Sequence, residues 1–397
     1  MVKAAFFHDS RLYQDKSGQV LSLNYPYSLW ERYLRHFDAL VVSTRMRSID
    51  EVAENVKKGL SISGGERVTF RPITTKRGGI LADWLDISLQ ISNIIAHVDC
   101  VIVRLPSFIG FLASHLVMRS GKPWAAEVVG CSWDSLFNYG NVQGKIAALP
   151  SLIIQKHYVK KAPFSLYVSQ NFLQQRYPCN GFIGACSDVS IASVEDRILQ
   201  RRLERIDDGF KERPINFGLI GSLDVGYKGH ETAIRALAMI HDQIPDFRLR
   251  FLGSGNPNRW HKFAERKGVG DKVQFDGIKH SGQQVYEWLD NIDVYTIPSL
   301  QEGLPRALVE AMSRGCPAVG VATGGITELL DASFLVPRRD FRSLANVMKK
   351  LVANGKQMKE QAQRNFSKAK EFEYDALHDK RNIFWSKFAA YVKSNCS

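Results

Sequence analysis

The sequence predicts an α/β protein of two doubly wound, Rossmann-like domains that face each other across a cleft. Three observations carry this expectation. Strand-length apolar runs alternate with amphipathic helical stretches through the C-terminal half, the same alternation fills the N-terminal half less regularly, and a charged, apolar-poor stretch lies between them. Such alternation builds a parallel sheet with helices on both faces. The 397 residues agree with this, because single domains run to roughly 100–200 residues.

Taken in order, residues 2–7, 39–43, 100–103, 124–129 and 164–168 read as strands, with helices at 51–59, 84–95 and 108–119. Residues 196–213 are rich in charge and close on Pro214, which places a linker at about 207–213. Residues 215–220 then read as a strand ending at Gly221. Ala233, Leu237, Ile240 and Ile244 step by 4, 3 and 4, which keeps one helical face apolar. Strands follow at 249–252, 273–275, 294–297 and 318–321, and helices at 259–267, 283–289 and 305–313. The expected division is an N-terminal domain over 1–208 and a C-terminal domain over 209–381. The tail, 382–397, is amphipathic through Ile383, Phe384, Phe388 and Tyr391 and is expected to pack back on the first domain.

Composition narrows the function. Hydrophobic residues are 45% and charged residues 23%, so disordered, collagen-like and disulfide-scaffold chains are excluded. Lys and Arg number 53 against 40 Asp and Glu, a net charge of +13 that calls for polyanionic company: nucleic acid, phosphate-bearing small molecules or an anionic membrane. The chain has no aromatic–basic RNA motif, no DNA-binding motif and no basic tail, so a nucleic-acid-binding protein is the weaker reading. Cys100, Cys131, Cys179, Cys186, Cys316 and Cys396 form no CxxC pair and read as structural thiols in a reducing cytoplasm. The first apolar run is broken by His8 and Asp9, unlike a signal peptide, and no run of about 18 uncharged apolar residues suits a membrane span. Lys145, Lys156, His157, Lys160 and Lys161 flank the apolar 146–154. Such a segment suits the anionic inner face of a membrane, or equally a surface helix with its apolar side in the core.

The chemistry concentrates in Pro298-Ser-Leu-Gln-Glu-Gly-Leu-Pro-Arg-Ala-Leu-Val-Glu-Ala-Met312, which follows a strand and opens a helix. Pro305 suits the first helical turn, where a missing N–H is harmless. The amides of Gly303, Leu304 and Arg306, with the positive helix end, make an anion site. Glu302 precedes that site, and Glu310 follows it as a carboxylate able to accept two hydrogen bonds from vicinal hydroxyls. Two acids bracketing a phosphate site fit a ligand with hydroxyls at both ends of its phosphates, a nucleotide sugar. Lys228, between Gly226 and Gly229, is placed to reach a diphosphate from the other side. Gly253-Ser254-Gly255 and Thr323-Gly-Gly-Ile-Thr-Glu328 are two further turns at strand ends of the same expected sheet. At the strand ends of the N-terminal half, His8, Asp9 and Arg104 are candidate ligand-facing residues.

Glu302 and Glu310 within EGLPRALVEAM, KG at 228–229 and GGITEL at 324–329 make the chain resemble the retaining glycosyltransferases of the GT-B fold, glycosyltransferase family 4. The resemblance is strong over 214–340 and looser over the N-terminal domain, where HDSRLYQDKSGQ…YSLWERYL is similar to the bacterial polysaccharide-assembly members. It implies transfer of a hexosyl group from a UDP or GDP sugar to a saccharide or lipid-linked saccharide, in the cytoplasm or at the inner membrane face, with neither metal nor cofactor. Glu302 would contact the donor sugar, Glu310 the ribose, Lys228 the diphosphate and the backbone at Ile278 the base. Front-face attack, with the leaving phosphate taking the acceptor's proton, makes Glu302 a positioning group.

Three departures stand out. Ser222 occupies the position where many members have Arg, and Arg306 is the candidate replacement. The first loop offers only Gly18 in place of a glycine pair. The usual His after the strand at 124–129 is absent, leaving Glu127 or Asp134 for acceptor contacts. A sugar-nucleotide epimerase or sugar-phosphate synthase of the same fold is the main alternative, although no distinct acid/base set for epimerisation is evident.

Overall fold

Two sheets organise the chain in the computed structural model, which describes residues 1–52, 57, 59–75, 83–138 and 142–395. Each sheet belongs to its own compact unit. The first comprises Met1–Trp133, Ile146–Cys186 and His378–Ser397, and the second Asp134–Lys145 and Ser187–Leu377.

In the first unit the strands are β1 (Lys3–Gln14), β2 (Val20–Ser22), β3 (Ala39–Ser48), β4 (Ser61–Ile62), β5 (Val68–Phe70), β6 (Cys100–Leu105), β7 (Trp124–Val128), β8 (Phe164–Tyr167) and β9 (Phe182–Ala185). The parallel part of the sheet runs β5-β3-β1-β6-β7-β8-β9. β1 continues well past the expected residue 7. An irregularity in its pairing between Phe7 and Arg11 precedes an extension that takes β2 antiparallel. The helices Trp84–Ala96, Phe108–Ser120 and Val142–Lys161 cover one face. Ile87, Ile91 and Ile95 recur every four residues there, packed with Ile109, Ala113, Val117 and Val159. Within the helix Tyr374–Asn395, Trp385 and Phe388 meet Tyr33, Phe37 and Phe164 in tilted and edge-on aromatic contacts. The helix expected at 51–59 lies largely outside the described residues, as does Cys396.

The second unit carries β10 (Ile215–Ile220), β11 (Phe247–Leu252), β12 (Val273–Phe275), β13 (Val294–Ile297), β14 (Ala318–Val321) and β15 (Leu335–Val336). They are ordered β12-β11-β10-β13-β14-β15, with every neighbouring pair parallel. Helices His230–Ile240 and Phe341–Val352 bury Ala233, Leu237, Leu344 and Met348 in one core cluster. Helices Gln283–Asp290 and Arg306–Ser313 bury Val285, Leu289, Leu308 and Met312 in another.

The linker expected at 207–213 is instead part of this unit. Residues Asp196–Asp207 form a helix whose Arg202 is 4% exposed and donates to the carbonyls of Leu289, Ile292 and Arg314. Arg205 and Arg213 both pair with buried Asp293, at 2.9 and 2.8 Å. These charges resemble a solvated linker only until their partners are known. Among the described residues, no helix is long and apolar enough to cross a membrane.

Candidate active site

Open parallel sheets hold ligands outside their strand carboxyl ends, where the strand order reverses. In the second unit that point lies between β10 and β13. The loop leaving β10 closes in a 3-10 turn, Gly226–Lys228, and ends at Gly229 with φ +83°. A Cβ at Gly229 would lie 2.3 Å from the Pro298 carbonyl oxygen, so only glycine lets this loop press on the exit of β13. The Leu300 N–H donates to the Tyr227 carbonyl at 2.8 Å and joins the two loops. This brings Lys228 Nζ within 2.8 Å of Glu302 Oε1, with the side chains 24% and 11% exposed.

The helix Arg306–Ser313 starts beside that pair. Pro305 is its N-cap, with φ −78° and ψ 108°, one residue before the first turn where it was expected. The N–H groups of Arg306 and Ala307 come too early for an intrahelical partner and give this end its positive character. Glu310, in the next turn, is only 6% exposed. Burial raises its pKa above the usual carboxylate range, against the pull of Arg306.

These groups line a cavity of about 470 Å³. Its wall includes Gly221, Lys228, Gly253, Ile278, Glu302, Pro305, Arg306 and Glu310, so most of the expected donor residues come together. Ser222, Ser254, Gly303 and Leu304 are not in the wall. The Ser254 carbonyl accepts from Leu223 N–H at 2.7 Å, and Ser222 Oγ from Asp224 N–H at 3.4 Å. The Gly303 carbonyl accepts from Gly325 N–H at 2.8 Å. The turn 323–328 is therefore a buttress and not a wall. At Gly324, with φ +52°, a Cβ would fall 1.9 Å from the Glu302 carbonyl oxygen. The sequence reading missed Lys279, Ser281, Val285 and Ala307, which line the wall together with the strand-end residues Ile220, Leu252 and Ile297. The pair Gly277 and Gly282, both at positive φ, was the available signal that the loop after β12 turns back toward the site. Among the described residues, no group of three or more His, Cys, Asp or Glu side chains is gathered to hold a metal.

Residues 214–354 match the family of glycosyl transferases group 1. Protein CapJ of Staphylococcus aureus is 31% identical over 360 residues, which cover 90% of this chain and 88% of that protein. The chain belongs to the group 1 glycosyltransferases. The amylovoran biosynthesis glycosyltransferase AmsK of Erwinia amylovora is 32% identical over 134 residues, 31% of this chain and 33% of that one. The crystal structure of Anabaena HepE in complex with UDP covers all of both chains with a TM-score of 0.63 at 14% identity, a likeness of fold. That fold, GT-B, has two parallel-sheet, Rossmann-like domains.

In the first unit of the glycosyltransferase, strand order reverses between β1 and β6, and a cavity of about 500 Å³ lies at their carboxyl ends. His8 and Arg104 line it with Arg11, Tyr13 and Tyr25, which the sequence reading did not single out. Tyr25 Oη and the Ser10 N–H both approach His8 Nδ1, at 3.0 and 3.1 Å. Glu127 is 3% exposed, pairs with Arg104 at 2.7 Å and accepts from the Tyr33 hydroxyl at 2.8 Å. Burial, followed by the Glu127 charge, holds the Tyr33 pKa well above its ordinary value. Glu127 thus orients Arg104 and lies outside the cavity wall. Asp9 is engaged elsewhere, accepting from the N–H groups of Phe108 and Ile109 at 2.6 and 3.1 Å at the start of a helix. Gly18, with φ +86°, serves the turn between β1 and β2, and its N–H donates to Asp15. Asp134 belongs to the second unit, buried 3.7 Å from Arg338.

Proposed function

We propose that this glycosyltransferase moves a hexosyl group from a nucleoside-diphosphate sugar, UDP or GDP, to a saccharide or lipid-linked saccharide acceptor in cell-surface polysaccharide synthesis, with retention of configuration. The Lys228–Glu302 pair, beside a helix N-terminus and opposite the buried Glu310, carries this reading. As the glycosidic bond breaks, negative charge gathers on the β-phosphate. Lys228 and the first-turn amides are positioned to stabilise it, and one such preorganised donor contributes about 3–4 kcal/mol. Glu302, exchanging Lys228 for sugar hydroxyls, positions the donor, and Glu310 accepts from the ribose hydroxyls. The positive charge comes from protein groups, so the proposed reaction uses no metal. The names of AmsK and of the UDP-bound HepE structure support the polysaccharide and nucleotide parts of the reading. Five cysteines carried as thiols among the described residues support a reducing, cytoplasmic setting.

The test is a thermal-shift screen with UDP, GDP, ADP and their sugars, followed by NMR of the product anomer. One nucleotide is expected to raise the melting temperature by mass action, by about 2.7 kcal/mol of added stability at 100 times its Kd. The product should keep the donor's anomeric configuration. Absence of any nucleotide-dependent shift, or an inverted product, would overturn the proposal.

A further inference from the structure

We propose that the helix Val142–Lys161 is a docking surface for an anionic lipid bilayer, an inference independent of the donor chemistry. A surface helix normally turns its apolar side inward. Here Ala148 and Gln155 are fully buried, while Ile146 is 70% exposed, Leu149 54% and Ile153 59%. The helix turns Val159, Leu152 and Tyr158 inward with Ala148 and Gln155, yet it leaves the bulky aliphatics Ile146, Leu149 and Ile153 standing in water, more apolar surface than packing on the core alone accounts for.

The exposed residues form one stripe. Ile146, Leu149, Ile153, Lys156 and Lys160 step by 3, 4, 3 and 4, so apolar and cationic positions share one helical face. Lys156, Lys160 and Lys161 are exposed. Lys160 and Lys161 also line a cavity of about 550 Å³ with Asn180 and Tyr391. Trp124 and Gly181 in its wall mark the amino ends of β7 and β9, the end of the sheet away from the His8 cavity. Lys122 in the same wall is held by the carbonyls of Ile95, Ala96 and Val98, so the charge offered to a headgroup is that of Lys160 and Lys161.

Charge selects the occupant. Residues 135–187 contain no Asp or Glu but include Lys145, Lys156, Lys160, Lys161 and Arg176. A second copy seated symmetrically on the stripe would set lysines against lysines. An anionic leaflet satisfies both the aliphatic stripe, by shallow insertion, and the lysines, by attraction to phosphate headgroups.

The experiment is flotation of the full-length protein with phosphatidylcholine vesicles, with and without phosphatidylglycerol, at low and high salt. Binding is expected only with phosphatidylglycerol, weakened by salt. Replacing Lys156, Lys160 and Lys161 together by Glu should lower partitioning at least about 100-fold, since each lysine contributes roughly fivefold. Ile146→Ser with Ile153→Ser should lower it roughly tenfold while leaving the thermal melt unchanged, because both side chains are solvent-exposed. Binding that ignores phosphatidylglycerol, absence of binding, or variants that float like the parent would each overturn the proposal. So would a dimer dissolved by the isoleucine changes in a protein that does not float.

Discussion

Lys228 and Glu302 neutralise one another, 2.8 Å apart and mostly shielded from water. On the proposed reading, a diphosphate arriving at Lys228 displaces the Glu302 carboxylate. The carboxylate therefore opposes binding of a bare nucleotide and acts only when a sugar offers hydroxyls to it. Glu302→Gln removes the competitor but leaves a weaker hydrogen-bond acceptor. The expected result is a fall in kcat of roughly 100-fold with UDP or GDP affinity unchanged or tighter. Titration calorimetry showing nucleotide binding lost in Glu302→Gln would contradict this assignment. Arg306 stands in the same cavity wall as Lys228, while Ser222, at the position where an arginine was expected, does not line it. If Arg306 supplies the second cation, Arg306→Ala and Lys228→Ala should each weaken donor binding, Lys228→Ala by about 100-fold and Arg306→Ala by roughly tenfold. An Arg306→Ala protein with parental donor affinity would leave Lys228 as the sole clamp.

At the scale of elements, the site depends on how closely the loops after β10 and β13 meet. Gly229 is the contact that fixes this, with positive φ and no room for a Cβ beside Pro298. Gly229→Ala should cost about 2–3 kcal/mol and shift Lys228, its sequence neighbour, off the cavity. Denaturant melts and donor titrations check the two effects; an alanine variant with parental values in both would mean that the loop repacks freely. The strands β10, β13 and β14 were legible in the sequence because short, mostly apolar runs, each bounded by a glycine or proline on at least one side, admit little else. The Glu302–Glu310 segment was legible because a strand exit, a glycine and a proline-capped helix fall in immediate succession. The helix Asp196–Asp207 was not. Its buried cation, Arg202, is satisfied by carbonyls distant in sequence at 289, 292 and 314, and no local pattern announces them. The end of β1 was missed for a related reason. Polar residues 8–11 broke the apolar run, yet β3 still pairs with Arg11–Gln14 beyond the irregularity. Asp9 looked ligand-facing on position alone, and the helix start it caps lies about a hundred residues downstream.

At the scale of the whole molecule, the stability of the second unit should depend on pH through a residue the mechanism does not use. His230 opens the helix His230–Ile240, is fully buried, and stacks on Trp260 with ring centroids 5.1 Å apart. Burial pushes its pKa down to about 4. The Gly221 backbone pulls it upward, while Lys228 and Arg259 add to the fall. An unfolded chain takes up this proton near pH 6.5, whereas the folded one resists it until about pH 4. Above 6.5 both states are neutral and His230 contributes no pH dependence. Between 6.5 and 4 the unfolded state binds more protons, so stability falls as the pH falls, by about 3 kcal/mol at most. Glu310 acts with the opposite sign, because its raised pKa makes the folded state the better proton binder, and its contribution to stability falls as the pH rises above the ordinary carboxylate pKa. His230→Phe isolates the histidine. Phenylalanine keeps the stack on Trp260 and the edge contact with Phe251 and cannot be protonated. Urea melts of the two proteins should coincide within about 1 kcal/mol at pH 7.5 and diverge below 6.5, the variant being the more stable near pH 4.5. Hydrogen exchange should place the difference in β10 and β11 of the second unit, which flank the histidine, and not in the sheet of the first. Parallel acid limbs for the two proteins would show that His230 becomes protonated in the folded state at its ordinary pKa, and that the packing around it yields to admit the charge.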